Sequence, residues 1–171
     1  MELERALKIS TNLIVDITMS VTVLKDYLYK SDLSKLHERA LYRLCFTSII
    51  MNCSKYVEFC DKYNKLLHTE NPKLDSLRNT FKEKVKNKGI ISFRNDYIGH
   101  IHSKKLQRPL DDIEIQDKFI SIIDSDNVAL FFDWLCPEDI LNTDLTKSLV
   151  GVIQLTRDEL EKSYNRVARG L

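Results

Sequence analysis

The sequence predicts an all-α fold: a helical bundle of about five to seven helices opened by a long N-terminal helical hairpin. Three observations carry this. Apolar residues recur at steps of three and four along most of the chain, as one face of a helix requires. Only four glycines and three prolines stand among 171 residues, too few for a turn-rich β architecture. Apolar residues make up 43% and charged residues 30%, a balance that suits a packed core rather than a disordered chain. At this length one domain, 1–171, buries roughly two thirds of its unfolded-chain surface and folds without metal or disulfide.

The first element is a long helix. Leu3, Leu7, Ser10, Ile14, Ile17, Val21, Leu24 and Leu28 alternate at steps of four and three, a single apolar seam. Ser31 or Asp32 is placed to cap a second helix, whose face reads Leu41, Cys45, Ile49, Cys53, Tyr56, Cys60, Tyr63 and Leu67. The short connection between them predicts an antiparallel pair. Asn71-Pro72 supplies a cap and a first-turn proline for a third, basic helix running to about Lys88, with Gly89 to end it. A fourth helix is expected from Ile90 to about His102, and a break follows from Ser103 to Pro109. Two apolar pieces come next, Ile115 to Ile123 and Asn127 to Cys136. Pro137, Glu138 and Asp139 read as a helix start, with negative charge at the positive end of the dipole. The last helix then follows Leu141, Leu145, Leu149, Val152, Leu160 and Val167. There is no internal repeat or low-complexity run.

The longest apolar stretch near the N-terminus, Leu13 to Leu24, is interrupted by Asp16 and is shorter than the ~20 residues of a spanning helix. The chain opens with the acidic Met1-Glu2-Leu3-Glu4, which does not fit a signal peptide. A cytosolic protein away from membranes is expected. Cys45, Cys53, Cys60 and Cys136 form no metal-ligand spacing. The first three recur at steps of eight and seven on one helix, more than ~10 Å apart along its axis. They read as reduced, packed thiols, and neither metal nor cofactor is expected.

Charge is unevenly distributed. Between Arg78 and Arg108 nine basic residues face two acids, a local +7 in a chain whose total is +1. Such asymmetry suits a polyanion-binding face, because neutralising phosphates releases counterions, and Lys84, Lys86, Lys88, Lys104, Lys105 and Arg108, with His102 among them, are the candidates for contacting a polyanion such as RNA. The alternative is a solvated helix face.

Glycine-rich phosphate loops, the GxSxG elbow, HExxH and metal-spaced carboxylates are absent from the sequence. Chemistry is concentrated in Arg94-Asn95-Asp96-Tyr97-Ile98-Gly99-His100. An arginine fork holds phosphate, and a histidine moves protons near neutral pH. Those are the two requirements for RNA cleavage by its own 2′-hydroxyl, and no metal is needed. On a regular helix six residues span ~9 Å and turn the side chain by ~120°, so Arg94 and His100 converge only through arginine's reach, a helix irregularity or a second subunit. Gly99 is a place for the irregularity. Asp96 stands four residues before His100, placed to fix its tautomer. The bland alternatives are an Arg94 paired with Asp96 or capping a helix, and a His100 satisfied in a core or interface.

Arg94, Asn95 and His100 in a small helical bundle resemble the R-x4-6-H motif of HEPN (higher eukaryotes and prokaryotes nucleotide-binding) proteins. The helix order resembles the abortive-infection branch of that superfamily. The resemblance implies a homodimer with two motifs facing across the two-fold axis and a metal-independent endoribonuclease site. Arg94 would hold the scissile phosphate, His100 would be general base or phosphate-orienting acid, and Asn95 would position the helix or RNA. It also implies a toxin or phage-defence role, often beside a nucleotidyltransferase antitoxin. Two departures stand out. The spacing of five is not the commonest, and His102 replaces the tyrosine that antitoxin-paired members carry. A catalytically silent HEPN-like module for RNA or protein is the alternative, and a bundle with a chance motif a third reading.

Overall fold

The computed structural model describes residues 2–30, 32–99, 106–124, 128–137 and 144–169, with the side chains of 28–30 set aside. These residues form an all-α bundle without a strand among them. The helices are α1 (Glu2–Lys30), α2 (Lys35–Lys62), α3 (Asn64–Glu70), α4 (Asp75–Asn87), α5 (Ile90–Phe93), α6 (Asp112–Ile123), α7 (Val128–Leu135) and α8 (Leu149–Ala168).

α1 and α2 are the expected hairpin. Ser20 of α1 donates to Ser48 of α2 at 2.7 Å, and the rings of Tyr27 and Tyr42 meet edge to face at 5.6 Å. One pair advances along α1 as the other retreats along α2, so the helices are antiparallel. α8 covers α1 from a second side. For that reason the buried seam is wider than a strict heptad: Ala6 and Leu13 are buried with Ile17, Val21 and Leu24, while Leu3, Leu7 and Ile14 are half-buried. By length and composition alone α1 could span a bilayer, contrary to the reading of its apolar stretch as too short. Its seam is nevertheless covered by α2 and α8, and its outer face carries Lys8, Asn12 and Asp16.

α2 is the central element, and its two halves differ. From Cys45 to Cys60 most residues are buried, because α1, α4, α5 and the turn after α5 all pack on it. From Lys35 to Leu44 none is fully buried. Its cap is Ser34, whose oxygen accepts from the His37 N–H, rather than Ser31 or Asp32. The periodic face read as continuous to Leu67 breaks at Tyr63, where the backbone leaves helical geometry and α3 begins.

Asn71 caps as expected, accepting from the Lys73 N–H at 3.1 Å, but the first turn, Pro72–Leu74, is 3-10 before α4 starts. Gly89 ends α4 at φ 73°, a left-handed conformation in which only glycine is unstrained. α6 begins at Asp112, three residues before Ile115, where the apolar piece was expected to start. Asp111 and Glu114 form a reciprocal capping box there, each side chain bonding the other's backbone N–H. The start read at Pro137-Glu138-Asp139, and Leu141 after it, lies largely outside the described residues. Leu145 belongs to a separate 3-10 turn, Leu145–Lys147, and extended Ser148 caps α8 by accepting from the Gly151 N–H at 3.1 Å.

Candidate functional site

The chain does not pass from α5 into a regular fourth helix. Arg94–Ile98 form a single π-helical turn closed by the Gly99 N–H on the Arg94 carbonyl at 2.7 Å. Such turns cost hydrogen-bond geometry and recur at functional sites. Gly99 fits the role expected of it. A Cβ there would stand 3.3 Å from the Arg94 carbonyl oxygen, a tight approach. The irregularity therefore falls on the segment whose residue types suggest chemistry.

The turn is pinned from both sides. Phe93 is buried below it and meets Phe119 of α6 at 4.8 Å and Tyr97 at 5.2 Å. The Asp96 carboxylate accepts from Lys118 of α6 at 3.2 Å and from Ser92 at 3.5 Å, with only 14% of its side chain exposed. Asp96 thus ties the turn to α6 and is not paired with Arg94. Asn95 turns its amide oxygen to Arg94 at 2.9 Å. The Arg-Asn pair is accordingly one unit, the amide aiming the guanidinium. The other Arg94 terminal nitrogen donates to Glu58 of α2 at 2.6 Å. Arg94 is 29% and Glu58 61% exposed at the side chain, so the pair sits at the protein's edge. Exposed pairs of this kind are worth about 0–1 kcal/mol, too little to lock the guanidinium onto one anion. A phosphate can therefore displace or join Glu58.

His100, His102, Lys104 and Lys105 lie outside the described residues. Of the other candidate RNA-binding cations, Lys84 is exposed with its ammonium over the Phe81 ring at 4.7 Å. Lys86 pairs with Glu83 at 3.0 Å. Lys88 donates to the Ile122 carbonyl at 3.3 Å, approaches Asp124 at 3.9 Å and lies over the Trp134 ring at 5.6 Å, joining α4 to α6 and α7. Arg108 is held by Glu114 through two bonds of 2.8 Å, which raises the guanidinium pKa and lowers that of the carboxyl. Lys82 is likewise matched by Asp61 at 2.9 Å. Arg78 is buried, donating to the Leu67 and Asn71 carbonyls at 3.1 and 3.0 Å and to the Asp75 carboxylate. Among the described residues, much of the positive charge counted along the sequence is thus paired with acids or carbonyls, some a turn away on the same helix and some from other elements.

Two arginines that the sequence reading passed over stand at the turn instead. Arg43 of α2 lies over the Tyr97 ring at 5.7 Å, and Arg39 is one helical turn away; both are exposed. Their spacing of four was the legible signal. Glu58 and Lys118 gave no such signal, being 36 and 22 residues from the groups they hold. Four buried free thiols bear out the packed-cysteine reading. Burial pushes Cys53 up to about 12 and Cys60 to about 11, and raises Cys45 and Cys136 as well. Among the described residues no group of histidine, cysteine and carboxylate side chains is arranged to hold a metal.

Bundle and turn together define an all-α protein whose polar chemistry is gathered on a π turn beside the central helix. No family model matches the chain, and no curated protein matches it. Among solved structures it is similar to the integron cassette protein Vpc_cass2 from the mobile metagenome of V. paracholerae, at 35% identity and a TM-score of 0.79, covering 93% of this chain and 95% of that one. The chain belongs to the same family as that cassette protein.

Proposed function

We propose that the chain is a metal-independent endoribonuclease of the HEPN type, working in the cytosol as a toxin or phage-defence effector. The observation that carries this reading is the π turn at Arg94–Ile98, with the Arg94 guanidinium aimed by Asn95 at the protein's edge. In the proposed reaction Arg94 binds the phosphate while His100 accepts the proton of the RNA 2′-hydroxyl or steadies the phosphate oxygens. The 2′-oxygen attacks phosphorus, the 5′-oxygen leaves and takes up a proton, and a 2′,3′-cyclic phosphate remains. Asp96 holds the turn on α6 through Lys118 rather than meeting substrate.

A homodimer would bring two such turns together. Leu36, Ala40 and Leu44 repeat at steps of four on the exposed half of α2, with Leu36 76% and Leu44 69% exposed, and Leu44 borders Tyr97 and Ile98. An apolar stripe of this kind beside the turn suits a second copy of the chain. A nucleotidyltransferase-like antitoxin is the further partner this reading implies.

The test is cleavage of total RNA in EDTA by the wild type, Arg94→Ala and His100→Ala, with analysis of product ends. Wild-type cleavage leaving cyclic or 3′-phosphate ends, lost in both variants, supports the enzyme. Equal cleavage by all three, or none by any, favours a catalytically silent RNA- or protein-binding module. The Arg94–Glu58 pair speaks for that second reading, since it already satisfies the guanidinium within the chain.

A further inference from the structure

Beside the π turn, α2 and α6 enclose an open groove of about 770 Å³, with Tyr97 at one end. Its two walls differ chemically. The α2 wall presents Arg39 and Arg43, both exposed, and no carboxylate among the described residues pairs with either. Gln116 is exposed on the α6 wall, half-buried Ile115 and Phe119 give that wall its apolar surface, and half-buried Tyr42 of α2 also lines the groove. Among the described residues Asp112 is the one carboxylate lining the groove, and it stands on the α6 wall.

That polarity matches a single nucleic-acid strand. Phosphates are drawn to the cationic wall and kept from the wall that carries Asp112. Bases need an apolar or aromatic surface and an amide for their polar edges, and the α6 side supplies both. A duplex presents phosphates outward on both strands and hides its bases, so it would leave the apolar wall uncovered. The arginine planes are also suited to stacking on bases, and Arg43 already lies over the Tyr97 ring.

We propose that the α2–α6 groove carries the single-stranded RNA flanking the scissile phosphate, with Arg39 and Arg43 binding its phosphates and Gln116 reading a base edge. The proposal rests on the ribonuclease reading for its direction toward the turn, but the groove's binding is measurable without cleavage. Arg39 and Arg43 act on the strand beside the reacting phosphate and are positioning residues rather than catalytic ones.

The experiment measures binding of a fluorescent 2′-O-methyl RNA strand, which lacks the attacking hydroxyl, across a salt series. The proteins are the wild type, Arg39→Gln/Arg43→Gln, and Lys147→Gln/Lys162→Gln as an equal charge change on remote surfaces. The groove variant is expected to bind roughly tenfold or more weakly and to lose about 1.4 from the salt slope, two phosphates at ~0.7 each for a single strand. The control pair should stay within about twofold, and a duplex of the same sequence should bind at least about tenfold more weakly than the strand. Equal losses in both double variants, an unchanged groove variant, strand and duplex binding alike, or a wild type that binds no RNA each overturn the proposal. A parallel EDTA digestion of unmodified RNA separates the two ideas. Binding lost in the groove variant with no wild-type cleavage keeps the groove and removes the enzyme; cleavage by the wild type with unchanged groove-variant binding does the reverse.

Discussion

Single side chains here are best understood by what they leave unpaired when removed. Arg78 counts as a surface cation in the sequence, yet it is 4% exposed and gathers the Leu67 and Asn71 carbonyls where the chain turns from α3 into α4. Arg78→Met strips the charge-assisted donors from those carbonyls and from Asp75, a loss of about 3 kcal/mol. In a domain of this size that lowers Tm by roughly 6–12 °C, measurable by calorimetry. Glu58 offers the opposite test. If Arg94 holds an RNA phosphate as proposed, Glu58 competes for it, so Glu58→Gln should tighten RNA binding severalfold at low salt with little change in Tm, whereas Arg94→Ala should weaken it. A Glu58→Gln variant that binds RNA less well would place the carboxylate on the substrate's side of the reaction and defeat the competition argument. Thiol reactivity follows from burial. With all four cysteines buried and their pKa values raised by desolvation, none should react with a disulfide reagent within minutes at pH 8, and all should react in denaturant.

At the scale of elements, periodicity made the helices legible and hid their interruptions. The α1–α2 hairpin, the Asn71-Pro72 start and the Gly89 stop all follow from local spacing and cap chemistry. The break at Tyr63 does not, because an aromatic residue in phase with the buried face carries no mark of a helix end. Nor does the π turn, since one extra residue in a helical turn leaves no composition signal; only Gly99 pointed toward it. Arg94 and Asn95 were recognisable as a pair, but their mutual bond and the Glu58 and Lys118 anchors depend on tertiary approach. Asp96 shows the consequence. The His100 expected beside it lies outside the described residues, but the Asp96 bond to Lys118 comes from another helix that spacing could not reveal, so Asp96→Asn should loosen the turn from α6 and speed amide exchange across 94–99 while leaving exchange in α1 unchanged. Gly151 is a sharper case. A Cβ there would lie 2.2 Å from the Leu145 carbonyl oxygen, which is backbone and has nowhere to move. Gly151→Ala must push the 3-10 turn off α8, at about 1–3 kcal/mol or more, with a matching drop in denaturation midpoint. An unchanged midpoint would mean that the turn repacks freely.

For the molecule as a whole, the described cations of the strongly basic third are largely matched by acids, some local and some brought near by folding. Those pairs also set the acid limit of stability. Partial burial raises the pKa of Asp75, but its bonds to His68 and Arg78 outweigh that and hold it below the usual carboxylate range. A depressed carboxyl pKa contributes stability that is present above the unfolded value, ~3.9, and is lost as pH falls through the folded one. The Tm gap between wild type and Asp75→Asn should therefore be full at pH 7, narrow below about pH 4 and close under still more acid conditions. The exposed half of α2 poses the other whole-molecule question. Its second half is buried by four neighbours, while Leu36 and Leu44 remain in solvent one helical turn either side of Ala40. If a second copy covers that stripe, Leu44→Asp buries an unpaired charge in the interface and leaves the monomer's core untouched. The wild type should then scatter light at twice the chain mass and the variant at the mass of one chain, with the same helical circular dichroism. Should both scatter as single chains, the stripe is no dimer face, and two π turns do not meet through it.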